Sequence, residues 1–258
     1  MKPARCWLLA FFLVLLLAGF LQARESRLIF QSSTLQALMD GVYDGDLTFN
    51  ELARHGNFGI GTFNALDGEM IGLDGKFFQI RSDGRVAPVA GDMRTPFAEV
   101  TFFNANRTNI LEKPLTYQQL TGFITRLLPS ANLLYAIKIE GFFPYIKARS
   151  VPRQHKPYPP LVEVAKKQSV FEFTNIKGVI VAFRYPPYLA GVNLAGYHCH
   201  FISADRQHGG HLLDCRVEEA TVAVDTIPNF YLQLPESPEF LKTDLTKEKE
   251  QELEKVEK

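Results

Sequence analysis

The sequence predicts a mixed α+β fold of the α/β kind, with a few packed helices and a β-rich second half. Three observations support this prediction. Capped amphipathic stretches lie mainly in the first half of the chain, and short apolar runs separated by turn residues dominate the second half. The 258 residues are 46% hydrophobic and 22% charged, which is the composition of an ordinary globular protein with a sizeable core.

The first 23 residues form a segment separate from this fold. Lys2 and Arg5 precede an apolar run from Trp7 to Phe20, which is about 14 residues long, whereas a membrane-spanning helix needs about 20. Ala23 suits a signal-peptidase site, so we predict a signal peptide over residues 1–23 and an exported protein. The alternative is an uncleaved leader that tethers the protein to a membrane.

The remaining chain is divided into an N-terminal α/β half, residues 24–130, and a β-rich C-terminal half with a charged tail, residues 131–258. The whole chain has 28 Lys+Arg and 28 Asp+Glu; without Lys2 and Arg5, 26 basic residues face the 28 acidic ones. This balance argues against a nucleic-acid partner, and after leader cleavage we expect no stable membrane insertion. Three cysteines are too few for a disulfide scaffold, and whether Cys199 pairs with Cys215 is left open.

Helical signals occur in four stretches of the chain. In order, they are residues 34–39 with Ser33 or Thr34 as N-cap, a capping box at 48–51 that opens a helix ending at Gly56, a capping box at 116–119 that opens a helix through Leu127, and residues 157–168. The tail from residue 241 to 258 is rich in charge and fits either a helix or a solvated end.

Strand signals are short and closely spaced. They are residues 77–80 after the turn dipeptide Asp74-Gly75, then 133–139 and 142–148 on either side of Glu140-Gly141, then 179–185, 197–203, 211–217, 221–225 and 230–234. Such spacing predicts an antiparallel sheet or an open barrel in the second half.

The histidines of the second half carry the clearest chemical signal. His198 and His200 are two residues apart, so on a strand both side chains point to the same face. If the polar segment around Asp205-Arg206 makes a hairpin, His211 lies opposite His200. Three imidazoles that converge with open positions are typical of a catalytic divalent metal site, most often zinc. The alternative is a set of surface histidines on an edge hairpin.

Two further charged residues lie in suggestive positions. Glu69 lies beside a glycine-rich turn within residues 57–71, where the residues alone favour an exposed carboxylate on a hairpin. Arg149 ends a predicted strand, where a guanidinium can hold a carboxylate with two hydrogen bonds or simply face solvent. Cys199 lies between two histidines and is expected on the opposite, buried face of its strand.

Taken with these residues, the sequence resembles the α-acetolactate decarboxylase family. The matching stretches are Gly61-Thr62-Phe63-Asn64-Ala65-Leu66-Asp67-Gly68-Glu69-Met70, Arg149-Ser150-Val151-Pro152, Gly196-Tyr197-His198-Cys199-His200-Phe201-Ile202 and Gly209-Gly210-His211-Leu212-Leu213-Asp214. They occur in the family's order, and the similarity extends from about Ser32 to the C-terminus. One departure is Cys199, where a bulkier polar residue is expected in relatives.

The resemblance implies a function and a set of site residues. It implies a two-part α/β fold with β-sheets in both halves, and a homodimer. It also implies conversion of the small molecule 2-acetolactate to acetoin and carbon dioxide in the pathway toward butanediol. It implies Zn²⁺ held by His198, His200 and His211 on an antiparallel hairpin of the second half. Glu69 and a C-terminal glutamate, Glu257 or alternatively Glu254, are expected to approach the metal. Thr62 and Arg149 are expected near the substrate, and Glu69, Arg149 and Glu257 are the expected catalytic residues.

Three other interpretations remain at this stage. A zinc-dependent hydrolase would use the same histidines to activate water, with Glu69 as general base. A non-catalytic, cupin-like metal-binding protein would need a glutamate where this chain has Asp205, so that fit is poor. The third is an inactive structural relative, against which the intact set of histidines argues.

Overall fold

The computed structural model describes residues 27–246, 249, 252 and 253, so the predicted signal peptide lies outside the described residues. One seven-stranded sheet has the order β16-β1-β8-β3-β4-β5-β6 and is antiparallel except where β1 pairs with β16. Its strands are β1 (Leu28–Ser32), β3 (Phe58–Thr62), β4 (Glu69–Leu73), β5 (Lys76–Ile80), β6 (Val86–Pro88), β8 (Ala98–Thr101) and β16 (Asn229–Gln233). A small pair is formed by β2 (Leu47–Thr48) and β7 (Arg94–Thr95).

The other seven-stranded sheet is antiparallel and has the order β10-β14-β13-β12-β11-β15-β9. Its strands are β9 (Arg107–Leu111), β10 (Leu115–Thr116), β11 (Leu134–Ser150), β12 (Ser169–Tyr185), β13 (Gly196–Ser203), β14 (Gly209–Val217) and β15 (Glu219–Ile227). The second half of β11 also pairs with β14, so β11 to β14 close into a small ring. The predicted mixed α+β fold and antiparallel second half are therefore confirmed.

Each seven-stranded sheet contains strands from both predicted halves of the chain, residues 24–130 and 131–258. From the first half, β9 and β10 join the second sheet, and from the second half, β16 pairs with β1 of the first sheet. A buried apolar cluster between the two sheets combines Ile60 and Ile80 of the first with Val181 and Ile202 of the second. The functional residues described below lie at this interface.

The five α-helices of the described chain are short; the first four lie in the predicted helical stretches, and the last was not predicted. They are α1 (Leu35–Met39), α2 (Phe49–Leu52), α3 (Tyr117–Leu127), α4 (Leu161–Ala165) and α5 (Pro238–Lys242). Both predicted capping boxes, at Thr48 and Thr116, are present. The predicted helix over 157–168 begins only at Leu161, because the prolines before it cannot donate the hydrogen bonds of a helix interior. No described helix has the length and apolar character required to cross a membrane.

The expected break at Glu140-Gly141 is wrong, because residues 134–150 form one continuous strand. Gly141 pairs with Ala220 of β15, and a Cβ at this position would lie 2.1 Å from the carbonyl oxygen of Glu219. The glycine therefore permits a close approach between strands and does not make a turn. Strand β12 likewise begins ten residues before the predicted Val179, at Ser169.

The two cysteines outside the leader are both free and buried. Cys199 and Cys215 belong to an apolar cluster beneath α3 that includes Leu120 and Ile124 of that helix. Burial raises the pKa of the Cys215 thiol far above its ordinary value. Because the reactive species is the thiolate, both thiols should be inert in the folded protein. In a Cys6→Ser protein, we expect Ellman's reagent to detect no thiol before denaturation and two afterwards. Rapid reaction of the native protein would contradict this arrangement.

Candidate metal centre

The hairpin of β13 and β14 has the register that the histidine spacing predicts. His200 lies directly opposite His211, and His198 lies two residues away on the same strand. Ile202, which shares their face, packs in the cluster between the two sheets, whereas Cys199 packs in the cluster beneath α3. The histidines therefore face the first sheet, and Cys199 points away from them as predicted.

An irregularity in β14 positions His211. Between β11 and β14, Lys147 pairs with Asp214 but Ala148 pairs with Leu212, so Leu213 is an extra residue and forms a bulge. A bulge re-aims the side chains beyond it. Beside His211, Gly210 has a φ of 144°, and a Cβ there would lie 2.5 Å from the carbonyl oxygen of Arg149. The Gly209-Gly210 pair thus lets β14 approach β11 closely enough to bring His211 beside Arg149.

The three imidazoles form one buried cluster. Ring centroids are 5.2 Å apart for His198 and His200, 5.2 Å for His198 and His211, and 5.3 Å for His200 and His211. One nitrogen from each ring lies within 4.8 Å of the others. Burial, followed by the neighbouring His198 and His211, lowers the pKa of His200 well below its usual range. His200 is therefore neutral at physiological pH, which is the form that binds a metal.

Glu69 and Arg149 complete the polar part of the cluster. Glu69 begins β4, and Arg149 lies near the end of β11 opposite His211. Nη1 of Arg149 donates to Oε1 of Glu69 at 2.8 Å, and Oε2 of Glu69 lies 3.7 Å from Nε2 of His200. Glu69 is only 6% exposed and Arg149 only 4%. The exposed carboxylate that the residues alone favoured for Glu69 is therefore wrong, and so is the solvent-facing alternative for Arg149. The approach of the two sheets buries both.

These polar groups line a pocket with apolar walls. The lining residues are Leu35, Leu38, Gly61, Thr62, Leu66, Glu69, Phe97, Arg149, Val151, Leu161, His198, His200 and His211. The hydroxyl of Thr62 donates to the carbonyl oxygen of Gly68 at 2.7 Å, so its lone pairs are available to an incoming donor. Thr62 also pairs with Glu69 across β3 and β4, which places both at the same level of the pocket.

One buried acid near this cluster was missed by sequence reasoning. Glu99 on β8 is fully buried, and its Oε1 lies 3.5 Å from Nδ1 of His198. Its Oε2 accepts hydrogen bonds from Tyr185 at 2.5 Å and from Asn193 at 3.1 Å. The available signal was a single charged residue in the apolar stretch Phe97-Ala98-Glu99-Val100, but a lone Glu in a strand has no specificity by itself.

The predicted tail ligands Glu254 and Glu257 lie outside the described residues. Described residues just before them contact α1. The Nε2 of Gln36 donates to the carbonyl oxygen of Leu245 at 2.9 Å, and Lys249 forms a partly buried ion pair with Asp40. Leu253 packs against the apolar cluster of Leu35, Leu38 and Leu161, which also wall the pocket. The described tail residues Leu245, Lys249 and Leu253 therefore pack at the rim of the pocket, which argues against a freely solvated end.

The donor set fits a divalent transition-metal ion. Three buried imidazoles with one nitrogen each in mutual reach are the ligands of many catalytic zinc sites. Within the described chain, Nε2 of His200 is buried and has no hydrogen-bond partner, an arrangement that is costly unless a ligand or ion satisfies it. His200 is held from the other side by Nδ1, which lies 2.9 Å from the carbonyl oxygen of Met70. Its Nε2 is therefore directed toward the centre of the cluster.

Two polar residues of the connecting loop lie outside this centre. Asp205, where a cupin would have its glutamate, is exposed and accepts a hydrogen bond from the Ser203 hydroxyl at 2.5 Å. His208 is exposed and its ring packs at a tilt against Phe173, with ring centroids 4.9 Å apart. The cupin arrangement is therefore absent from the hairpin, and only three of its four histidines converge.

Comparisons with known proteins identify the family of the chain. Residues 29–247 match the family model described as "Alpha-acetolactate decarboxylase". Curated relatives with that name include proteins of Methylococcus capsulatus, 48% identical over 90% of each chain, and Methanosarcina mazei, 49% identical over 90% of this chain and 81% of the relative. The crystal structure of the Bacillus subtilis strain 168 enzyme superposes with a TM-score of 0.88 at 43% identity, covering 89% of this chain and 99% of that one.

Proposed function

The chain belongs to the alpha-acetolactate decarboxylase family and is an acetolactate decarboxylase, and from this premise we propose how its residues perform the reaction. We propose that His198, His200 and His211 hold a zinc ion, with Glu69 and Glu257 approaching it, and that the substrate is 2-acetolactate. The observation that carries this proposal is the convergence of three buried imidazoles, Glu69 and Arg149 on one pocket between the sheets.

The substrate's functional groups correspond to those of the pocket. 2-Acetolactate carries a carboxylate, a hydroxyl and a ketone on neighbouring carbons, and two methyl groups. Arg149 is the described cation that lines the pocket, and it orients the carboxylate or the oxyanion that develops later. Leu35, Leu38 and Leu161 accept the methyl groups and exclude water. A zinc ion bound by the three histidines would act as a Lewis acid toward the oxygens of the substrate.

The reaction then requires an electron sink and a proton donor. Cleavage of the bond between the carboxylate carbon and its neighbour releases carbon dioxide, and the electron pair moves into the ketone to give an enediolate. Arg149 stabilises the negative charge in a site where the low dielectric strengthens the interaction. The reaction consumes one proton from solvent, which Glu69 or Glu257 takes up and delivers to one face of the enediolate, and this determines the chirality of acetoin.

The decisive experiment combines metal analysis with product analysis. Purified protein should contain about one zinc ion per chain and should convert racemic acetolactate to acetoin, with one enantiomer in excess. Panels of esters and amides should remain intact, because a zinc hydrolase would cleave some of them whereas a decarboxylase requires the β-keto acid. Absence of acetoin, or hydrolysis in its place, would refute the proposal.

The role of the tail is tested by deletion. Removing residues 251–258 takes away Glu257 and the packing of Leu253, so we expect kcat/KM to fall at least about tenfold with the fold retained. Glu257→Gln should reproduce most of that loss, whereas the matched variant Glu254→Gln should not. A deletion variant as active as the full chain would show that the tail glutamates take no part.

We further propose export by the N-terminal signal peptide and assembly as a homodimer. The charged and apolar parts of residues 1–23 support export, with an uncleaved membrane tether as the alternative. The resemblance to a usually dimeric family supports the dimer. N-terminal sequencing of the mature protein tests cleavage near Ala23, and light scattering tests the dimer.

A further inference from the structure

A buried polar network extends from the first sheet to the back of His198. Its central residue is Glu99, which is fully buried and does not line the pocket. One carboxyl oxygen, Oε2, receives both of its hydrogen bonds, from the Tyr185 hydroxyl and the Asn193 amide. The other oxygen, Oε1, faces Nδ1 of His198 at 3.5 Å. The carboxylate is thus held on one side and directed at an imidazole on the other.

The residues that hold Glu99 are themselves constrained. Asn193 also donates to Oε1 of Gln31 at 2.7 Å, and Gln31 donates to the backbone carbonyls of Ser33 and Val192 at 2.8 and 2.9 Å. Burial, followed by the Glu99 charge, raises the pKa of Tyr185 well above its ordinary value, so this hydroxyl remains a donor. A buried carboxylate is costly unless it is matched by donors or by opposite charge. The two donors that hold Glu99 indicate that its buried carboxylate has a specific role in the protein.

The arrangement at His198 parallels that at His200. In His200, Nδ1 is held by the carbonyl oxygen of Met70, so Nε2 is available to the centre of the cluster. In His198, Nδ1 faces Glu99, so Nε2 is the nitrogen that would bind a metal. Metal-binding histidines commonly donate their second N–H to a carboxylate or a carbonyl, which fixes the tautomer and makes the ligand nitrogen more basic.

We propose that Glu99 is a positioning residue of the metal centre, which accepts a hydrogen bond from the Nδ1–H of His198 and orients its Nε2 toward the ion. This inference rests on the proposed metal centre. It also has an electrostatic reason: three neutral imidazoles do not offset a divalent charge, and the Glu69 carboxylate is shared with Arg149, which leaves Glu257 as the other proposed negative charge near the ion. Glu99 supplies a further negative charge one imidazole away from the ion. Because Glu99 is on β8 and His198 on β13, this contact also links the two sheets.

The test measures metal affinity separately from activity. Glu99→Gln retains the shape of the side chain and removes its charge. In competition with a chromophoric chelator, we expect this variant to bind Zn²⁺ about ten- to a hundredfold more weakly than the unaltered protein. Its Co²⁺-loaded form should show shifted visible absorption bands, because the basicity and orientation of one ligand change. The matched control is Asp225→Asn, a buried carboxylate outside the pocket, which should leave the Zn²⁺ affinity unchanged.

The outcomes separate the two proposals. A folded Glu99→Gln protein with Zn²⁺ affinity within twofold of the unaltered protein and the same Co²⁺ spectrum would overturn the role of Glu99, even if its melting temperature fell. If Glu99→Gln does not fold, Tyr185→Phe decides: a severalfold weaker Zn²⁺ affinity supports the proposal and an unchanged affinity overturns it. If instead the unaltered protein binds Zn²⁺ no better than its His200→Ala variant, the metal centre itself is refuted.

Discussion

Replacing His200 by Ala is expected to abolish both bound metal and acetoin formation. His200 lies at the middle of the cluster, with Nδ1 held by Met70 and Nε2 directed at the other ligands and at Glu69. Alanine offers no ligand atom, and two remaining imidazoles bind a divalent ion much more weakly. Because Lewis-acid stabilisation contributes several kcal/mol, we expect kcat/KM to fall by at least about 10³-fold.

Three measurements check this result. Metal analysis after dialysis should find less than a tenth of the unaltered protein's zinc, and circular dichroism should show a retained fold. The unaltered protein treated with a chelator should lose activity and regain it with Zn²⁺, whereas His200→Ala should not respond. The matched control is His208→Ala on the same hairpin, because His208 is exposed and lies outside the cluster, and it should remain fully active. An active, metal-free His200→Ala protein would refute the proposed site.

Changing Glu69 to Gln is expected to slow turnover strongly while most of the metal stays bound. The three imidazoles remain, but the variant can neither donate the proton nor hold Arg149 by charge. Loss of a positioned acid typically costs about 10²- to 10⁴-fold in rate, and we expect a fall in kcat within this range. Steady-state kinetics with zinc content measured on the same sample checks this prediction. Normal turnover would remove Glu69 from the catalytic residues.

Glu69→Gln should also lower stability. Glu69 and Arg149 form a buried ion pair with 2.8 Å between Nη1 and Oε1, and removing one charge leaves the other buried. Breaking such a pair costs about 3–5 kcal/mol, an upper limit here because glutamine still accepts a hydrogen bond. The matched control is Glu163→Gln, which breaks the exposed pair with Lys166 and should change the free energy of unfolding by less than about 1 kcal/mol. Equal effects in both variants would contradict the burial of the Glu69 pair.

Local features of the fold were predictable because their causes are local. The capping boxes at Thr48 and Thr116 satisfy backbone groups within four residues, and the turn at Asp74-Gly75 uses backbone angles that glycine adopts readily. The hairpin register followed from the spacing between His200 and His211. By contrast, Gly141 has the composition of a turn but lies within β11, because its partner strand β15 is some eighty residues away in sequence.

The site residues likewise include some that the sequence predicts and some that depend on the tertiary structure. Spacing was sufficient to bring His198, His200 and His211 together, since a strand and a hairpin determine which side chains share a face. Sequence motifs alone left Glu69 and Arg149 as either site or surface residues, and gave no indication of Glu99. These acids and the arginine come from strands of different sheets, so their burial and pairing depend on how the sheets pack.

The sequence by itself therefore determined the mixed α+β class, the histidine triad and, through its ordered motifs, the family. Only the tertiary structure decided that Glu69 is buried against Arg149, that Glu99 lies behind His198, and that Leu253 of the tail packs at the rim of the pocket. The physical reason is the range of the interactions. Caps, turns and hairpin registers are set by neighbouring residues. A buried charge, by contrast, is stable only when distant strands bring an oppositely charged partner into contact with it.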